Sequence, residues 1–231
     1  MRDFHFEDIL TGWPLLAQGL VTTVILAVLS ALFSLPLGIA LGSLRADAPR
    51  LLWPLRVAAT LYIEGMRSLP LILWLAFVHY GLMFWVNNAL DRPSSFLESA
   101  LAGFILFEAA YFAEIWRGGL LSVRSGERDA ARSLGLSPLD RYRRIYAPLA
   151  FSRALPALVG QLISLLKDTS LASIIGVMEL TRMGEILYQN TYHDFEALVF
   201  LALTYFLLCF GLSALGRRLE AILSKGRAQM A

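Results

Sequence analysis

Cysteine, histidine and charge are all scarce in this sequence, and each scarcity removes a class of function. The one cysteine, Cys209, lies in an apolar run, so there is no disulfide framework and no paired-thiol motif. His5, His79 and His193 are scattered and lack metal-ligand spacing. No Ser/His/Asp or Cys/His arrangement suits nucleophilic catalysis, because the candidate residues fall in separate apolar segments. No G-x-x-x-x-G-K-[ST] stretch occurs, so the chain carries no phosphate-cradling loop, and nucleotide-derived energy has to come from a partner. No internal repeat is visible, which counts against the two-halved build usual in secondary carriers. No cleavable signal peptide is expected, since MRDFHFED is acidic and aromatic and the first apolar run is too long for a signal core.

Apolar residues are abundant instead. Charged residues are 16% of the 231 positions and hydrophobic ones 57%, with a mean hydropathy of +0.61, outside the soluble norm. Roughly 20 apolar residues cross a bilayer as a helix. Spans are predicted at about 15–44, 52–86, 96–121, 154–177 and 195–215. The second run, from Leu51 to Val86, is longer than one span needs; it reads as one long or broken helix bent near Ser68-Leu69-Pro70, with two separate spans as the alternative. Residues 1–12 read as a polar lead, Asn87 to Ser95 and Met178 to Asp194 as polar loops, and the tail from Gly216 as a basic segment. The tryptophans fall mostly towards span ends, where aromatic rings anchor at the interface. The expected fold is an all-α integral membrane protein of five transmembrane helices, a single domain over 1–231.

Basic residues orient it. Arg45, Arg50 and Arg56 follow span one; Arg117, Arg124, Arg128, Arg132, Arg141, Arg143, Arg144 and Arg153 lie in or beside the loop between spans three and four; Arg217, Arg218, Lys225 and Arg227 are in the tail. The opposite side holds Arg2, Arg92 and Arg182. By the positive-inside rule the N-terminus is expected outside and the C-terminus in the cytoplasm.

Charges within spans are the next signal. Ionisable groups in hydrocarbon are costly and normally face the bundle interior or a water-filled path. Glu64 and Arg67 fall near mid-depth of span two, on one face because they are three apart, Glu108 near mid-depth of span three, and Lys167-Asp168 in the middle or outer half of span four. Glu64, Arg67, Glu108, Lys167 and Asp168, with Thr169 and Ser170 beside them, are the candidate substrate-binding residues. For Glu64 and Glu108 a second reading stands equally: each neutralises a neighbouring charge as a buried pair. A zwitterion carried across the membrane needs fixed charges of both signs near a helix break, and Arg67, Lys167 and Asp168 supply them.

The longest polar stretch, Ser122 to Pro148, is SVRSGERDAARSLGLSPLDRYRRIYAP. A first helical pattern runs from about Gly126 to Leu134 and stops at Gly135. A second opens with Ser137 as N-cap, Pro138 at the first position and Asp140 at the third, and is expected to close before Pro148. This elbow is similar to the EAA signature of bacterial ABC-transporter permeases, E-A-A, three residues, G, nine residues, I-x-L-P. Asp129 stands here for the Glu and Ala147 for the Leu, with the spacing intact. The resemblance implies that Asp129, Ala130, Ala131, Gly135, Ile145 and Pro148 couple the membrane helices to an ATP-hydrolysing subunit.

The runs MRSLPLILW, FEAAYFAEIWRGGL and LISLLKDTSLASIIGVMEL resemble the polar-amino-acid branch of these permeases, and with the elbow the likeness covers most of Ala59 to Glu220. It implies a type I importer permease of the bacterial cytoplasmic membrane. Its partners would be two ABC ATPases, a second permease subunit (identical or different) and a periplasmic or surface-anchored amino acid-binding protein. The chain would hold no cofactor and perform no catalysis, ATP and Mg being held by the partner ATPase. The FEAAY and RSLP runs lean towards glutamate or aspartate as cargo. Two other classes are weighed beside it: a self-sufficient secondary carrier or channel, and a membrane-tethered helix-turn-helix regulator. The regulator needs a recognition helix free to reach a major groove, whereas both ends of this elbow are tied to spans, so no nucleic-acid partner is expected.

Overall fold

The structure, a computed structural model, describes residues 7–47 and 50–228. Among the described residues there are helices and turns and no strand. In chain order the α-helices are α1 (Glu7–Thr11), α2 (Trp13–Asp47), α3 (Trp53–Ser68), α4 (Leu71–Phe77), α5 (Met83–Leu90), α6 (Phe96–Leu121), α7 (Ser125–Ser133), α8 (Pro138–Arg141), α9 (Ala147–Asp168), α10 (Leu180–Thr191) and α11 (Asp194–Ala228). Five helical runs are long and apolar enough to cross a membrane: Trp13–Ala46, Leu71–Ala89, Phe96–Leu121, Pro138–Ile175 and Asp194–Ile222.

The segment expected over 52–86 is broken where the sequence places the bend, near Ser68-Leu69-Pro70. The helix breaks at Leu69, whose φ of −93° and ψ of 140° are extended, as the residue before a proline favours. Pro70 then caps α4, which passes through a π turn, Val78–Leu82, into α5. The apolar run that can span is Leu71–Ala89. Glu64 and Arg67 therefore lie on α3, ahead of the break.

Two polar segments are more ordered than expected. The lead contains α1, and the segment from Met178 contains α10. α10 is started by Glu179, whose carboxylate accepts from the backbone N–H groups of Thr181 and Arg182 at 2.9 and 2.8 Å. Burial raises the Glu179 carboxyl pKa, against the pull of those hydrogen bonds.

The packing falls into two units. The first is drawn from Met1–Leu32, Pro70–Ile105 and Leu162–Leu212. Its core joins Leu26, Leu75, Phe104, Leu165 and Ile175, all buried. Trp74 is held by an indole N–H bond to the Gly103 carbonyl, and a β-carbon on Gly103 would meet Leu75 at 2.7 Å. The second unit is drawn from Phe33–Leu69, Leu106–Gln161 and Ser213–Ala231. There α2 lies on α6 so closely that a β-carbon on Gly42 would clash with the Ala113 carbonyl oxygen. Small residues give that approach, the usual device where lipid removes the hydrophobic drive between helices. Trp116, Leu120 and Ala150 bury together beside it. Outward, α11 exposes Leu203, Phe206, Leu207 and Phe210, an apolar face suited to a lipid solvent rather than water.

Candidate functional sites: the elbow and the membrane charges

The elbow is built by local chemistry. Glu127, at the third position of α7, accepts from the Arg124 backbone N–H at 2.8 Å and so caps its own helix. Its other oxygen takes the Arg153 guanidinium at 2.6 Å, and Arg153 also donates to the Ser122 carbonyl at 2.5 Å. The hydrogen bond from Arg153, followed by that from the Arg124 N–H, holds the Glu127 carboxyl below its usual range. Gly135 turns the chain with φ of +68°, a left-handed value glycine adopts without strain, and nothing would touch a β-carbon there. Ser137 accepts from the Asp140 N–H at 3.1 Å and donates its hydroxyl to the Asp140 carboxylate at 2.6 Å.

Pro148 does not stop the second helix as expected. α8 passes through a π turn, Tyr142–Tyr146, directly into α9, and the Ala147 N–H bonds to the Tyr142 carbonyl five residues back. The π turn widens the helix just before the proline, which relieves the clash its ring would make and shifts the bonding register around its missing N–H. Of the residues matching the signature, Asp129, Ala130 and Pro148 are exposed, Ile145 is half-buried, and Ala131 is buried at 1% exposure against its own chain. Asp129 makes a surface pair with Arg132 at 3.1 Å.

The charges of α3 and α6 gather around one carboxylate. Glu114 accepts from Arg45 at 2.8 Å and from Arg117, and Arg67 approaches it at 4.0 Å. Arg45 also binds Glu64 at 2.6 Å. Glu64 and Arg67 thus face other partners, and the pairing considered for them is replaced by one through Arg45 and Glu114. Arg67 lies over the Tyr111 ring at 5.9 Å and remains 36% exposed. In the sequence Arg45 carries only a topological signal and Glu114 none, because the two are 69 residues apart. Glu108 is fully buried and accepts from the Gln161 side chain at 2.9 Å.

Lys167, Asp168, Thr169 and Ser170 belong to the first unit, whereas Glu64, Arg67 and Glu108 belong to the second. Lys167 is exposed and Asp168 half-buried. Thr169 and Ser170 spend their hydroxyl protons on the carbonyls of Leu166 and Lys167, at 2.7 and 2.8 Å. Among the described residues, no three of His, Cys, Asp and Glu come together as a metal site needs.

Residues 34–225 match the family model described as binding-protein-dependent transport system inner membrane component. The chain is 33% identical over 217 residues to the glutamine transport system permease protein GlnP of Escherichia coli strain K12, covering 94% of this chain and 96% of that protein. It is 32% identical to the probable amino-acid permease protein YxeN of Bacillus subtilis strain 168, covering 97% and 98%. A crystal structure of an amino acid ABC transporter superposes with a TM-score of 0.83 at 28% identity, over 96% of this chain and 99% of that one. The fold is that of type I ABC importer permeases. This match along most of the chain, elbow included, leads to one conclusion: the protein belongs to the family of binding-protein-dependent transport system inner membrane components.

Proposed function

We propose that this chain is the membrane subunit of an ATP-driven importer that carries a polar amino acid across the cytoplasmic membrane. The observation that carries the reading is the family match over 34–225, which includes the whole elbow together with four of the five spans. The name of the Escherichia coli relative, a glutamine permease, supports an amino acid as cargo. In this reading the chain acts as one permease domain that holds no cofactor and does no catalysis itself. One ATPase docks on this elbow through Asp129, Ala130, Gly135 and the Ile145–Pro148 region, a second permease subunit with its own ATPase completes the pathway, and a binding protein delivers the substrate. The N-terminus lies outside and the C-terminus in the cytoplasm, as the distribution of arginines supports.

For the cargo, Arg67 on α3, 36% exposed, is the candidate cation for a carboxylate in the second unit, and exposed Lys167 with half-buried Asp168 are the candidates of each sign in the first. A second cation suits a substrate with a second carboxylate, so glutamate and aspartate head the panel and glutamine is the neutral comparison. The test is uptake of labelled amino acids into proteoliposomes holding the permease together with an ABC ATPase and an amino acid-binding protein from the same organism. ATP-dependent accumulation of one amino acid supports the reading. Accumulation by this chain without an ATPase makes it a carrier instead.

A further inference from the structure

The elbow contains a hollow that the docking of a flat helix surface does not use. It is lined by Arg128, Arg132, Pro138, Arg141, Tyr142 and Tyr146, with a volume of about 260 Å³. Ligand pockets for drug-sized molecules run from about 300 to 1,000 Å³, so this one suits a side chain rather than a nucleotide. Its walls are fixed. The Tyr142 hydroxyl is hydrogen-bonded to Ser43 at 2.6 Å, and Ser43 accepts from Trp116 at 2.8 Å. The Arg128 guanidinium lies over the Tyr146 ring at 5.5 Å and donates to the Leu120 carbonyl at 2.8 Å.

The charge in the hollow is one-sided. Among the described residues, three guanidinium groups and no carboxylate line it. Arg132 meets Asp129, but both are more than 60% exposed, so that pair is weak. Arg141 makes no ion pair among the described residues, and its Nε is buried without a hydrogen bond. A buried donor left unpaired is costly, and clustered guanidiniums are best satisfied by a planar anion that takes two N–H groups at once. From this we infer that the hollow receives an Asp or Glu side chain of the ATP-hydrolysing subunit, gripped by Arg141 and Arg132. The inference rests on the coupling role proposed for the elbow and names the chemistry of the partner surface: an acidic side chain projecting from the ATPase cleft, inserted between α7 and the start of the second elbow helix.

The experiment uses the whole transporter, with its ATPase, in lipid nanodiscs. The affinity of the ATPase for the permease is measured against ionic strength for the wild type and for Arg141→Gln, Arg141→Lys, Arg132→Gln and Arg143→Gln. Arg143 is exposed and does not line the hollow. Arg141→Gln is expected to weaken binding about tenfold and flatten its salt dependence. Arg141→Lys, which keeps the charge but not the planar fork, should fall between, and Arg143→Gln should match the wild type. Each acidic residue of the ATPase cleft is then changed to Ala. One should reproduce the loss and be non-additive with Arg141→Gln. Equal affinity and salt slope for Arg141→Gln and wild type, or additivity with every cleft acid, overturns the proposal. If the wild-type permease binds no ATPase at all, the coupling role itself fails, and the two failures are told apart.

Discussion

Arg153, near the start of α9, reaches back 26 residues to Glu127 in the first turn of α7, at 2.6 Å. The contact clips the elbow to the helix it feeds. It also gives the elbow a defined acid sensitivity. The folded carboxyl titrates below its unfolded value of about 4.3, so its contribution is complete above that value and is lost as pH falls through the folded one. Thermal unfolding of the purified permease followed from pH 7 to pH 3 should show a drop below about pH 4.3 that is smaller in Glu127→Gln. An identical profile in the variant would remove this role.

Arg45 and Arg67 should separate in their effects. Arg45 is only 18% exposed and serves two carboxylates, Glu64 and Glu114. Arg45→Gln should cost about 2 kcal/mol and lower the amount of assembled protein. Arg67 has a 4.0 Å approach to Glu114 and a ring contact, so Arg67→Gln should leave the protein level near wild type while reducing uptake. Membrane yield and transport, measured side by side, check this. Low yield for Arg67→Gln with normal transport per molecule would argue against a substrate role for Arg67.

Gly135→Val should fold and fail to couple. The strain is in the backbone, about 1–2 kcal/mol for a left-handed position, since no neighbour would contact the new side chain. Asp129→Lys should cost less than about 1 kcal/mol, its partner being an exposed arginine. In both variants ATP hydrolysis stimulated by the loaded binding protein is expected to fall while insertion persists. Full stimulation in both would remove the elbow from coupling.

Orientation is open to labelling. With Cys209 first replaced, cysteines at Ser94 and Asn190 should react with an impermeant maleimide added outside intact cells. A cysteine at Ser125 should react only after the membrane is opened. Reaction at Ser125 from outside would place the elbow away from ATP.

The features legible in the sequence were those with a local cause. Pro70 forces the backbone of Leu69 out of the helix, Ser137 caps because Asp140 stands three residues on, and Gly135 takes a left-handed turn. The apolar runs mark five membrane-crossing helices because each is long enough. What escaped depends on distant partners or on geometry a rule overlooks. The proline rule predicts a stop at Pro148, but the π turn ahead of it keeps the helix going. Glu64 and Arg67 satisfy the spacing for a pair, yet Arg45 from α2 and Glu114 from α6 offer better placed partners. The segment holding α10 looks like a loop until Glu179 is seen folded onto its first N–H groups.

The unbroken passage from α8 through Tyr142–Tyr146 into α9 has a mechanical side. Together with α7 and the Arg153–Glu127 contact it closes a triangle: one side is α7, one corner is Gly135, and the third side is clamped by the ion pair. A closed triangle keeps its angles while its sides keep their lengths. Such a closed elbow resists bending at Gly135, so that α7 and the start of α9 are held as one piece. Unclamping Glu127 would turn the truss into a hinge.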